Sequence, residues 1–254
     1  MNHGMTRFGM VLLSSMLVVA CGDDKDDAAD SGGHDHADGD HDHDHDGDTD
    51  AGADEDDAGA AAAKLSVFVT SDDSESANLG GLSGADSRCN KLAKAVGSKR
   101  KFAAYLSAEK NAAGADSPIH ARDRIGDGPW YNAKGVLVAQ DLDALHDLKG
   151  NADLFLDETG AKINGQWDPS KTPNEHDILT GSDADGRLVP GKTCGDWTST
   201  DESLAAQVGH SDGLGPNMNG AEPYSSWNSA HESESCKDTR PRGGAGKVYC
   251  FAAD

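Results

Sequence analysis

The chain reads as an exported α+β domain, rich in loops and stapled by disulfides, carried behind an acidic N-terminal extension. Three observations carry that reading. Short β-rich runs open and close the C-terminal region, an amphipathic helical pattern follows the first of them, and four cysteines are spread through a region short of Leu and Ile.

The elements can be justified in order. Lys64-Leu-Ser-Val-Phe-Val-Thr70 is rich enough in β-branched and aromatic residues to open the domain as a strand. Ser83 followed by Asp86 has the spacing of a helix cap, and Ala85, Cys89, Leu92, Ala93 and Val96 then share one face of a helix that Gly97 ends. Phe102-Ala-Ala-Tyr-Leu-Ser107 predicts a second strand. Leu142, Leu145 and Leu148 predict a short helix between Asp141 and Lys149, closed by Gly150. Residues 151–246 are mostly Gly, Asp, Asn, Ser and Pro with isolated tryptophans, which predicts a long irregular region. Lys247-Val-Tyr-Cys-Phe-Ala252 is the closing strand.

Ahead of this region, Arg7 and the apolar run Phe8–Ala20 end in Val18-Val19-Ala20-Cys21. A positive start, an apolar stretch and small residues before a cysteine form a lipoprotein signal peptide over residues 1–21, with Cys21 as the lipidated residue. The run falls short of the about 20 residues needed to span a bilayer. Gly22 rather than Asp follows the cysteine, which favours the outer membrane of a Gram-negative envelope. Several acyl chains acting together make such anchoring effectively permanent.

Residues 22–63 are almost entirely Asp, His, Gly and Ala, without one large apolar residue, so they predict a disordered tether. The tether holds sixteen Asp and one Glu against a single Lys, and its net charge of −16 is most of the chain's −23. Like charges extend such a segment. What remains on residues 64–254 is mildly acidic, and with no basic face to displace counterions, nucleic acid is excluded as a partner. Within the tether, His34, His36, His41, His43 and His45 stand among aspartates, a donor set suited to zinc, nickel or copper. The same composition also serves as a plain solubilising spacer.

With Cys21 taken by lipid, Cys89, Cys194, Cys236 and Cys250 form an even set in an exported domain, which predicts two disulfides. Spacing alone allows three pairings. No CxxC, HExxH or GxSxG string and no phosphate-cradling glycine loop occurs, and His120, His146, His176, His210 and His231 have no partner legible in sequence. No enzyme is expected. Trp130 and Trp227 are candidate ligand-stacking residues, Trp197 is expected in the core beside Cys194, and Asp183 and Asp185 in SDADG are candidate calcium ligands or a plain Asp-Gly turn.

The strings GGLSGADSRC (80–89), FAAYLS (102–107), GSDADGR (181–187), Cys194-x-x-Trp197, Ser235-Cys236 and VYCF (248–251), taken in this order, resemble the endostatin-like domain at the C-terminus of type XV and XVIII collagens. The chain is more similar still to bacterial lipoproteins that carry that domain. The resemblance covers nearly all of residues 64–254. It implies a C-type-lectin-like fold, with two helices on a twisted mixed sheet, a long loop region, and nested disulfides pairing Cys89 with Cys250 and Cys194 with Cys236. The heparin-binding face and N-terminal zinc histidines of the mammalian domains do not transfer, because the arginines here are scattered and the histidines lie in the distant tether. The calcium signatures of true C-type lectins are also missing.

The function expected from all this is a lipid-anchored envelope protein whose head is a non-catalytic binding or adhesion module for a glycan, matrix or envelope partner. The alternative is a metal-handling lipoprotein that captures zinc, nickel or copper through its tether. Zinc and calcium are the ions expected.

Overall fold

The computed structural model describes residues 55–110 and 114–254. Helix α1 (Glu55–Lys64) leads into strand β1 (Val67–Val69), helix α2 (Gly81–Ala95) and strand β2 (Phe102–Ala104). Next come the paired strands β3 (Trp130–Tyr131) and β4 (Leu137–Ala139), then helix α3 (Leu142–His146). Strands β5 (Asp177–Leu179), β6 (Gln207–His210), β7 (His231–Glu232) and β8 (Gly244–Ala252) follow. The architecture is α+β, and its main sheet is mixed. β1 and β2 pair antiparallel with the C-terminal half of β8, placing Phe68 opposite Cys250 and Ala103 opposite Phe251. β5 runs parallel to the N-terminal half of β8, and β6 and β7 continue antiparallel from β5.

β8 is buried along its whole length, so its side chains feed two cores. Val248, Cys250 and Ala252 join Phe68, Cys89, Leu92, Phe102 and Trp197 under α2. Tyr249 and Phe251 join Val67, Val69, Tyr105, Trp130, Phe155 and Trp227. Trp227 is the centre of the second core. It is fully buried, stacks on Phe155 at 5.2 Å, meets the ring of Tyr249 edge-on at 5.0 Å, and donates its indole N–H to the Leu145 carbonyl. Trp227→Ala is therefore expected to cost about 3–5 kcal/mol, read from the denaturant midpoint. A loss under 1 kcal/mol would contradict this packing.

Two disulfides lock the domain. Cys89 of α2 is bonded to Cys250 of β8, and Cys194 to Cys236 within the loop region. Residues Cys194 to Trp197 form one left-handed turn with φ between 50 and 65°. Such backbone costs each non-glycine residue about 1–2 kcal/mol. Here it is held by the second disulfide and by the Trp197 indole, which is buried and donates to the Ser107 carbonyl at 2.8 Å.

Several sequence expectations need correction. Helix α2 starts at Gly81, not at a Ser83 cap, because the Asp86 carboxylate is taken by the Arg124 guanidinium at 2.7 Å and by the Ala104 N–H. Its other end is as expected: Gly97, at φ 84°, donates to the Lys94 carbonyl while Ser98 donates to that of Ala93. The tether boundary at residue 63 falls inside α1, where Ala60 to Ala63 favour helix and Leu65 donates back to Ala61. Helix α3, capped by the Asp141 carboxylate, ends at His146, and Gly150 serves a different purpose. A Cβ there would lie 2.1 Å from the His210 carbonyl, so the glycine permits a close backbone approach. The region 151–246, expected to be irregular, supplies β5, β6 and β7. Strands of two to four residues are too short to show an alternation by which to recognise them.

Candidate metal centre

The end of the sheet where β5, β6 and β7 meet gathers the least expected polar cluster of the domain. Strand pairing sets Asp177 directly opposite His210, and Val208 opposite His231. His176 immediately precedes β5, and its carbonyl accepts the Ser211 N–H. Gly209 lets the 227–228 backbone close over β6, since a Cβ there would lie 2.0 Å from the Trp227 carbonyl.

The side chains converge on the Asp177 carboxylate. His176 Nε2 lies 3.2 Å and His210 Nε2 3.3 Å from Asp177 Oδ1, and His231 Nε2 lies 3.6 Å from Oδ2. His176 and His210 stack face to face at 4.3 Å, and one ligand atom from each of His176, Asp177 and His210 lies within 4.8 Å of the others. The carboxylate side chain is only 1% exposed, yet neither of its oxygens has a hydrogen-bonding partner, nor does either ring nitrogen of His210. An unpaired buried carboxylate is costly.

The hydrogen bonds around the cluster assign its protons. His176 Nδ1 lies 2.7 Å from Asp212 Oδ1, and His231 Nδ1 lies 2.9 Å from the Glu232 carbonyl. Each neutral ring then carries its proton on Nδ1, which leaves the Nε2 lone pair facing the Asp177 oxygens. Lone pairs repel a carboxylate unless a cation lies between them. Ligands about 2.0 Å from a tetrahedral zinc stand about 3.3 Å apart, close to the 3.2 and 3.3 Å that separate the His176 and His210 Nε2 atoms from Asp177 Oδ1. Asp212 supplies the outer carboxylate that orients a ligand imidazole.

Burial dominates the electrostatics of the pair: it pushes the Asp177 carboxyl up to about 6 and pulls His210 down to about 3. Burial also acts against the Asp212 carboxylate, but hydrogen bonds from His176 and from the Leu214 and Trp167 N–H groups outweigh it and hold its pKa low. Asp212→Asn is expected to weaken metal affinity about 10- to 100-fold in a chelator-competition titration, whereas unchanged affinity would remove its orienting role.

The residues singled out from the sequence lie elsewhere. Trp130 and Trp227 are buried core residues, so neither presents a stacking face. The Asp183 carboxylate accepts the Arg187 N–H and the Asp185 carbonyl accepts Arg122, contacts that form an Asp-Gly turn. Cys21 and the histidines His34, His36, His41, His43 and His45 lie outside the described residues. His120 accepts the Leu188 N–H, and His146 bridges the Tyr105 hydroxyl and the Leu142 carbonyl, so both have structural partners. The missed residues are His176, Asp177, His210, His231 and Asp212. Their one sequence signal is that titratable residues stand at the ends of apolar strands, as in His176-Asp-Ile-Leu179 and Val208-Gly-His210.

No protein-family model matches the chain, and no curated protein matches it.

Proposed function

We propose that the chain is a lipid-anchored envelope protein whose C-terminal domain is a metal-dependent binding head. The head holds one divalent transition ion, zinc foremost, through His176, Asp177, His210 and His231. Three imidazoles and one carboxylate are a borderline-to-hard donor set suited to zinc, copper or nickel, and they leave calcium poorly served. One observation carries the reading: the buried Asp177 carboxylate, without a hydrogen bond, faces the Nε2 atoms of three histidines. The two disulfides support export. The pairing of β1 with β8 and the Cys89–Cys250 bond draw the two ends of the domain together, which supports a C-type-lectin-like, endostatin-like head. In this reading the metal site serves recognition of a glycan, matrix or envelope partner, and the tether holds it away from the membrane.

The test is metal content of the detergent-solubilised full chain with His34, His36, His41, His43 and His45 changed to Asn, so that the tether cannot contribute. One zinc per chain is expected to survive dialysis, and His176→Ala with His210→Ala to lose it. Equal zinc with and without those two histidines would sink the proposal.

A further inference from the structure

We infer that the ion keeps an exchangeable coordination position, held at rest by His231 and yielded to a small carboxylate ligand entering from the adjoining cleft. This rests on the metal-centre reading above and deepens it.

The four ligands are not equivalent. The side chains of His176, Asp177 and His210 are at most 4% exposed, whereas that of His231 is 25% exposed. His231 also lies farthest from the carboxylate, on the opposite oxygen, and belongs to a two-residue strand at the edge of the sheet. Its Nδ1 bonds the adjacent Glu232 carbonyl, where His176 has the buried Asp212. A ligand on an exposed edge strand, with only a local orienting partner, is the one that can swing away without unpacking the core.

There is room for a replacement. The three imidazoles line a cleft of about 350 Å3, whose other walls come from Gln166, Asn174, Pro216, Tyr224 and Arg242. That volume is at the small end of ligand sites. Asp177 does not line the cleft. The Tyr224 ring lies parallel to that of His210 at 5.8 Å and forms a flat wall. No carboxylate lines the cleft, although the chain is strongly acidic. Two amides and a guanidinium are the groups that orient a carboxylate whose oxygen reaches the ion. Arg242 pairs with Glu234 at 2.6 Å, but both side chains are half exposed, and such a surface pair yields readily to a competing anion.

Cobalt(II) reports the coordination directly, because its visible d–d bands change with ligand number and type. The full chain with the tether histidines changed to Asn would be loaded with cobalt and titrated with azide and with acetate. Both anions are expected to shift the bands saturably. His231→Ala is expected to keep one cobalt with affinity reduced about tenfold and to bind azide more tightly, whereas His210→Ala keeps none. Bands that neither anion moves, together with complete cobalt loss in His231→Ala, would make the site closed and overturn the inference while leaving the metal centre standing. No cobalt binding at all would overturn both.

Discussion

Replacing Cys89 by Ser is expected to destabilise the folded domain by about 5 kcal/mol and to leave a free thiol at Cys250. The disulfide spans 161 residues and ties α2 to β8, the strand against which β1, β2 and β5 all pair. In the chain-entropy account the cost of losing a cross-link grows with the loop it closes, so the Cys194–Cys236 bond, spanning 42 residues, is worth less, about 4 kcal/mol. Both sulfurs of the longer bond are fully buried, which adds the burial of a serine hydroxyl to the loss. Guanidinium unfolding of Cys89→Ser and Cys194→Ser, with thiol counting in denaturant, checks both the size and the order. A midpoint unmoved by Cys89→Ser would remove the bond from the stability of the domain.

Asp177→Asn is expected to act in opposite directions with and without metal. In the metal-free protein the amide relieves an ionised, unpaired group in the interior, so stability rises. With zinc present the only anionic ligand is gone, and stabilisation of about 4 kcal/mol, reached at a thousandfold excess over Kd, disappears. Melting of both proteins with zinc and with chelator reads the reversal. A fall in stability in both conditions would make Asp177 an ordinary structural carboxylate.

The pH dependence carries the same signature. A carboxyl raised to about 6 contributes stability that is present below the usual carboxylate pKa and lost as pH rises through 6. An imidazole lowered to about 3 contributes stability that is present above about 6.5 and lost as pH falls towards 3. The two oppose each other between about 4 and 6, so in the metal-free protein their contributions largely cancel there. The zinc-loaded protein should lose stability steeply over the same range, because protons displace the ion from its ligands. In metal-free Asp177→Asn only the imidazole contribution remains, and stability should fall as the solution is acidified.

What could be read from residues alone was whatever one segment decides for itself. The apolar face of α2 and its stop at Gly97 follow from a period of 3.6 residues and one left-handed position. The opening and closing strands follow from runs apolar on both faces, and their buried registers agree with that. Trp197 beside Cys194 was expected in the core and lies there. The start of α2 was misplaced because Asp86 spends its carboxylate on a residue 38 positions away. Asp183 and Asp185 were ambiguous because an Asp-Gly turn and a calcium loop use the same residues.

The sequence by itself determined the composition of the chain's parts: an acidic, histidine-bearing N-terminal stretch, an even set of four cysteines, a helix whose buried face is written in its periodicity, and two β-rich strands. Only the tertiary structure decided the metal centre. Asp177, His210 and His231 lie on three strands of four residues or fewer, with His176 just ahead of the first, and nothing local links the 176–177 pair to the other two histidines. Which side chains meet there depends on the register of β5 on β6 and of β6 on β7. That register is set by the packing of both cores and by close backbone approaches such as those at Gly150 and Gly209, and a slip of one residue would send each ligand to the opposite face.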